Sequence, residues 1–340
     1  MANIRLWIEG ARLRTLPASI SPILAGSAVA WFCARPGPPS GSRILSAGFL
    51  LILCLVVGIG FQVGCNYAND YSDGIRGTDE VRVGPVRLVG SGLVAPALVK
   101  RVAFFCFAIA CGAGLLVVGL STGFFTTAAK LQALSNGGWV TPAVLILVGV
   151  ACILAAWFYT GGQHPYGYAG LGEVFVFVFF GLIATVGTAF VQSPRFVEDL
   201  EIRVGCPVYI RDMPWGPAIL MGVAMGFFAT AILVANNLRD LVTDSQAGKR
   251  TLGVVLGESK SRILYAVLVV AAFATIIVFA ITVSWPVLFA LHGAILLVRP
   301  TWNVLKGASG VDLVPVLKWT GIGQLLTAVL VVLGLGLGYG

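Results

Sequence analysis

Two groups of Asn and Asp residues hold most of the chemistry this chain can do. The first is Asn66, Asn69, Asp70, Asp73 and Asp79; the second is Asn236, Asn237, Asp240 and Asp244. Each group closes a long apolar run in a chain that is only 11% charged. Carboxylates in such surroundings are costly, so they mark functional positions. If the helix carrying the first group runs on to Asp73, then Asn66, Asp70 and Asp73 fall within roughly a 60° arc of one face. Asn236, Asp240 and Asp244 stand at i, i+4 and i+8, with Asn237 beside the same stripe. Hard oxygens on one face suit Mg2+, which binds one or two carboxylates and completes its shell with water and phosphate oxygens. Zn2+ would want His or Cys, and neither lies in these segments. Acids at helix C-termini also oppose the helix dipole, which favours a bound cation as the compensating charge. The two groups therefore read as a divalent-metal clamp for a diphosphate, and their matched spacing hints at an internal repeat of helix pairs.

Basic residues follow both groups. Arg82 and Arg87 flank Gly84-Pro85, and Lys249 and Arg250 follow Gly248. A guanidinium binds phosphate bidentately, although ordinary loop cations would look the same. A third segment, YTGGQHPYGYAGLGE (159–173), is rich in Gly and Tyr and has no Lys or Arg. Tyr159 and Glu173 are its substrate-side candidates. Glu173 reads either as a carboxylate in an acceptor pocket or as a charge favouring a helix N-terminus. Near the start, Arg12 and Arg14 precede the first apolar run. Membrane anchoring explains both, and Arg14 is also a substrate-binding candidate. Pro17 and Pro22 are expected to bend that first helix and open a cavity beside it.

The elements that must position these residues are membrane helices. Of 340 residues, 58% are hydrophobic, and a soluble domain of this length carries about twice the charge. Nine apolar runs are expected to span a bilayer: about 16–33, 44–66, 101–121, 140–159, 171–191, 215–237, 263–283, 285–298 and 319–338. The eighth is short and reads as tilted or partly re-entrant. Alternate loops divide the 22 Lys and Arg residues sixteen to six. The positive-inside rule makes the richer side, with the N-terminus and both Asn/Asp groups, cytoplasmic. Positive-inside loops and anionic membrane lipid account for the net charge of +8 without any nucleic acid. Residues 1–14 are polar, so no cleavable leader is expected. The seven cysteines show no metal spacing; Cys33 and Cys206 share the outer side, and a disulfide between them is left open. A single intramembrane domain over 1–340 is expected.

NYANDYSDGIRGTD and NNLRDLVTDSQAGKRTL resemble the paired aspartate motifs of the UbiA superfamily of intramembrane prenyltransferases. WIEGARLRTLPASISPILAG, RVGPVRLVGSG and YTGGQHPYGYAGLGE extend the likeness from Trp7 to about Gly257, nearest the naphthoate branch of the menaquinone pathway. Superfamily members often carry a further Asp four residues after the position of Asp73. Here Gly77 stands there, which weakens the case for 4-hydroxybenzoate as acceptor. The resemblance implies an all-α bundle of nine transmembrane helices around a central, cytoplasm-facing cavity in the cell membrane. It implies two Mg2+ ions, one held by Asn66, Asp70 and Asp73 and the other by Asp240 and Asp244, with Asn237 in support. Arg82, Arg87 and Lys249 would hold diphosphate. The implied reaction moves a polyprenyl group from polyprenyl diphosphate to 1,4-dihydroxy-2-naphthoate with loss of carbon dioxide. A sister prenyltransferase with another acceptor is the alternative within the class. An ion-coupled secondary transporter is the alternative outside it, although such sites usually sit near the bilayer midplane.

Overall fold

The structure, a computed structural model, describes residues 4–33, 41–77, 87–122, 140–193 and 213–338. Asp79, Arg82 and Cys206 lie outside the described residues. The described residues are helical with no strand, as expected where no water competes for backbone hydrogen bonds and each helix satisfies its own.

Two helices open the chain: α1 (Ile4–Ala11) and α2 (Pro17–Ala28), the latter continued as a π turn to Cys33. Then come α3 (Gly41–Ile75), α4 (Pro96–Ser121), α5 (Val140–Phe158) and α6 (Gly172–Val191). The second half holds α7 (Trp215–Arg239), the short α8 (Leu241–Gln246) and α9 (Leu252–Leu256), and α10 (Glu258–Thr282). The last two are α11 (Trp285–Leu305) and α12 (Leu313–Leu337). Among the described residues eight helices are long and apolar enough to cross a membrane, and the N-terminal pair makes a ninth if counted as one span. That pair is bent by 51°. The break comes from Arg12, in a left-handed conformation at φ 52°, while Pro17 sits where its ring suits a helix start. The bend therefore lies before Pro17. The eighth run begins as a 3-10 turn over Trp285–Ala294 and then becomes α-helical, which accounts for its short, tilted look in sequence.

Polar side chains set the inside of the bundle. Exposed Phe105, Leu147, Val270, Ile281 and Val298 mark its outer, apolar wall. Helix α7 is the central element, packed against α6, α10 and α12. It meets α6 at a glycine crossing, where a Cβ on Gly181 would stand 2.3 Å from the Gly226 Cα. Small residues let membrane helices approach this closely. The charged residues Asp70, Asp73, Arg87, Glu173, Asp240, Asp244 and Lys249 are all buried.

Candidate active site

The first acid group rides on the last turns of one unbroken helix, α3, with Asn66, Asp70 and Asp73 all buried. Asp70 is occupied by the backbone. Its Oδ2 accepts the Leu88 N–H at 2.8 Å and its Oδ1 the Val89 N–H at 3.1 Å. This straps the 87–90 turn onto α3. Gly74 makes room for it, since a Cβ there would fall 2.4 Å from Val89 Cγ1. The strap delivers Arg87, whose Nη2 lies 4.0 Å from Asp73 Oδ2. Asp73 Oδ1 in turn accepts the Tyr168 phenol and lies 3.1 Å from the Lys249 ammonium.

The second group is built differently from the single helical face its spacing suggests. Helix α7 stops at Arg239 and α8 restarts at Leu241, with Asp240 at the junction. Arg239 grips the Asp240 carboxylate with both ends of its guanidinium, at 2.8 and 2.6 Å. Asp244, one turn on, is left to face the first group. Gly248, at φ 73°, reverses the chain after α8. Lys249 then returns to Asp244, donating its backbone N–H to the Asp244 carbonyl at 2.9 Å. Its Nζ lies 3.8 Å from Asp244 Oδ1. One buried ammonium thus stands between Asp73 and Asp244, residues 171 positions apart in the chain (244 less 73).

The Gly/Tyr segment closes over this junction. Arg76, just past α3, donates to the carbonyls of Thr160 and Gly162, and the Thr160 hydroxyl donates to Asn69 Oδ1 at 2.8 Å. The Tyr168 ring stacks against two cations, with Arg76 Cζ 5.4 Å and Lys249 Nζ 4.9 Å from its centroid. Its carbonyl accepts the Arg250 N–H at 3.1 Å. Sequence reasoning stopped at Tyr159 and Glu173 and missed Tyr168. The available signal was its place in a Tyr-rich segment, because a phenol is suited to donate to an acid while its face receives a cation. Burial pushes the Tyr159 phenol well above the ordinary tyrosine range, and the charges of Glu173, Asp73 and Asp244 push the same way. The Tyr159 oxygen lies beside Gly172, one residue before Glu173. Glu173 accepts a 2.8 Å hydrogen bond from Asn237.

A model described as the UbiA prenyltransferase family matches residues 19–319. The chain belongs to that family. It is an integral membrane protein. It is 40% identical over 339 residues to the 1,4-dihydroxy-2-naphthoate octaprenyltransferase of Mycobacterium tuberculosis, covering 99% of each chain. It is 32% identical to the protein of the same name from Escherichia coli, covering 98% of this chain and 96% of that one. Two solved structures share the fold. A digeranylgeranylglyceryl phosphate synthase matches at a TM-score of 0.52 and 17% identity, covering 98% of this chain and 99% of the other. A UbiA homologue from Archaeoglobus fulgidus bound to DMAPP and Mg2+ matches at 0.52 and 10%, covering 96% and 98%.

In this UbiA family member the candidate residues divide. Asp73, Asp244, Lys249 and Arg87 converge, with Asp70 and Asp240 behind them as supports. Asn66 turns away from the acids. Its amide donates to the Ala11 carbonyl at 2.9 Å and to the Thr15 hydroxyl at 3.1 Å, tying α1 to α3. The break at Arg12 leaves the last α1 carbonyls without helical partners, and Asn66 satisfies one of them. Arg14 is exposed, outside the cluster. Among the described residues no three His, Cys, Asp or Glu side chains converge as a metal-binding group. The pair Asp73 and Asp244 nevertheless fits Mg2+, because two hard carboxylates already share one cation and Mg2+ takes its remaining ligands from water and phosphate.

Proposed function

We propose that this chain transfers a polyprenyl group from polyprenyl diphosphate to 1,4-dihydroxy-2-naphthoate, releasing diphosphate and carbon dioxide and giving demethylmenaquinol, the reduced form of demethylmenaquinone. The supporting observation is the meeting of the two acid segments on one ammonium, with Lys249 Nζ 3.1 Å from Asp73 and 3.8 Å from Asp244. The relatives that share 30–40% of their residues over nearly the full length carry the matching name. The single domain spans the chain, and its active site and N-terminus face the cytoplasm, in keeping with the loop charges.

The catalytic acids Asp73 and Asp244, with Asp70 and Asp240 in support, would hold two Mg2+ ions. Held by these residues, Mg2+ would supply positive charge against the departing diphosphate. Lys249 and Arg87 bind the outer phosphate oxygens, and Arg82 belongs to the same set. The Tyr168 phenol keeps Asp73 Oδ1 oriented. As the allylic C–O bond breaks, the buried surroundings exclude water that would capture the allylic cation. Tyr159, Asn237 and Glu173 line the acceptor side. The prenyl tail lies in lipid along the apolar wall.

The purified protein in lipid nanodiscs, given Mg2+ and both substrates, is expected to release diphosphate and carbon dioxide together. Activity that persists in Asp73→Ala and Asp244→Ala, or in excess chelator, sinks the metal reading. A panel of aromatic acceptors separates the naphthoate from a sister substrate.

A further inference from the structure

Among the described residues, one buried carboxylate oxygen has no hydrogen-bond partner. Glu173 opens α6 and is only 5% exposed. Asn237 holds its Oε1 and the carboxylate sits by its own backbone N–H, whereas Oε2 is buried without a hydrogen-bond partner. An unmatched buried acceptor costs on the order of 1–3 kcal/mol, more when charged, so it calls for an explanation.

The surroundings say what completes it. The buried cations Arg87, Lys249 and Arg239 are committed to Asp73, Asp244 and Asp240. The segment leading into Glu173 brings no Lys or Arg. What lies near Glu173 is neutral: the Asn237 amide, the Tyr159 phenol, and Gly172, where a Cβ would meet the Tyr159 oxygen at 3.3 Å and Leu233 at 3.4 Å. An acid so placed takes a neutral hydroxyl rather than an anion. Any side chain at position 172 would crowd the Tyr159 phenol.

We propose that Glu173 is the catalytic base for the aromatic acceptor, its free Oε2 taking a ring-hydroxyl proton while Asn237 fixes the other oxygen. This rests on the acceptor being a hydroxyaromatic, as in the proposed function. The O–H bond breaks and its electron pair stays on oxygen. That charge enters the ring, a ring carbon bonds to the allylic carbon, and the allylic C–O pair leaves on diphosphate. The carboxylate at the attacked carbon departs as carbon dioxide, its electron pair restoring the ring as a phenolate. Glu173 then returns the proton. The transferred proton thus ends where it began, and no outside acid is needed.

The test uses the full chain in nanodiscs with Mg2+, polyprenyl diphosphate and 1,4-dihydroxy-2-naphthoate. Glu173→Gln keeps the volume and the Asn237 contact but cannot accept a proton. Its kcat is expected to fall roughly 100-fold and to lose the acid-side pH dependence seen in wild type. Mg2+-dependent binding of the donor should be unchanged. A ring-halogenated acceptor, with more acidic hydroxyls, should recover about tenfold in Glu173→Gln and little in wild type. Glu173→Asp should be slower yet keep the pH dependence. The proposal is overturned by wild-type turnover in Glu173→Gln, or by a loss that neither the acidic acceptor relieves nor the pH profile registers. If Glu173→Gln fails to bind donor, Glu173→Asp decides, since a retained pH dependence supports the base and its loss refutes it. Wild-type protein that alkylates no hydroxyaromatic acceptor defeats the function itself, a result distinct from all of these.

Discussion

The ends of α3 and α7 look like copies in sequence and work by different means in space. Each region presents one outer acid, Asp73 on α3 or Asp244 on α8 just past the end of α7, to the shared ammonium, and each uses an inner acid for support. At α3 the inner acid, Asp70, holds two backbone N–H groups of a distant turn. At α7 the inner acid, Asp240, is held by its own neighbour Arg239. The first arrangement assembles the site from afar, and the second only neutralises a charge at a helix break. Equal spacing therefore does not mean equal roles.

The largest effect separates outer from inner acids. Asp73→Ala and Asp244→Ala should each lower diphosphate release by about 10³-fold, the scale of a lost charge-stabilising group. A smaller loss there than in Asp70→Ala would reverse the assignment. Lys249→Ala comes next. It leaves two buried acids without their common cation, and breaking such a pair costs about 3–5 kcal/mol. Its Tm in chelator should drop, and Mg2+ should restore more of it than in wild type, as read by thermal unfolding.

Asp70→Asn then tests the strap. Removing an acceptor for buried N–H groups costs about 1–3 kcal/mol, so the Leu88 and Val89 amides should exchange faster in hydrogen-exchange measurements. Arg239→Ala should leave those amides unchanged. Tyr168→Phe keeps the ring under Lys249 and loses only the hydroxyl on Asp73, a net effect of about 1 kcal/mol, seen as a several-fold fall in turnover. Arg14→Ala, at an exposed position, should stay within about 0.5 kcal/mol of wild type in stability and show full activity.

Helix placement and the acids were legible because apolar runs and i, i+4 spacing are local patterns. Continuity of α3 to Ile75 follows from the same pattern. What lay beyond reach depended on distant partners. Asn66 shares a face with Asp70, and nothing local says that the Ala11 carbonyl would need its amide. Tyr168 meets Asp73 across 95 positions of chain, and such a convergence leaves no period to read. The break at Asp240 escaped notice because the apolar stripe continues through it, while the Arg239 grip is a side-chain event.

The length of α3 has a consequence for where the substrate is found. At about 1.5 Å per residue, the stretch from Ile44 to Asp73 reaches about 44 Å, and about 33 Å along the membrane normal even at a steep 40° tilt. A hydrocarbon layer is about 30 Å thick. With Ile44 at one boundary of that layer, Asp73 reaches past the other to the level of lipid headgroups, where an amphiphile with a charged head and a greasy tail already rests. Capture becomes a search over a surface instead of through a volume, and the tail never has to leave its own solvent. Turnover should then track the mole fraction of donor in the bilayer, so diluting it with inert lipid at constant bulk concentration slows the enzyme.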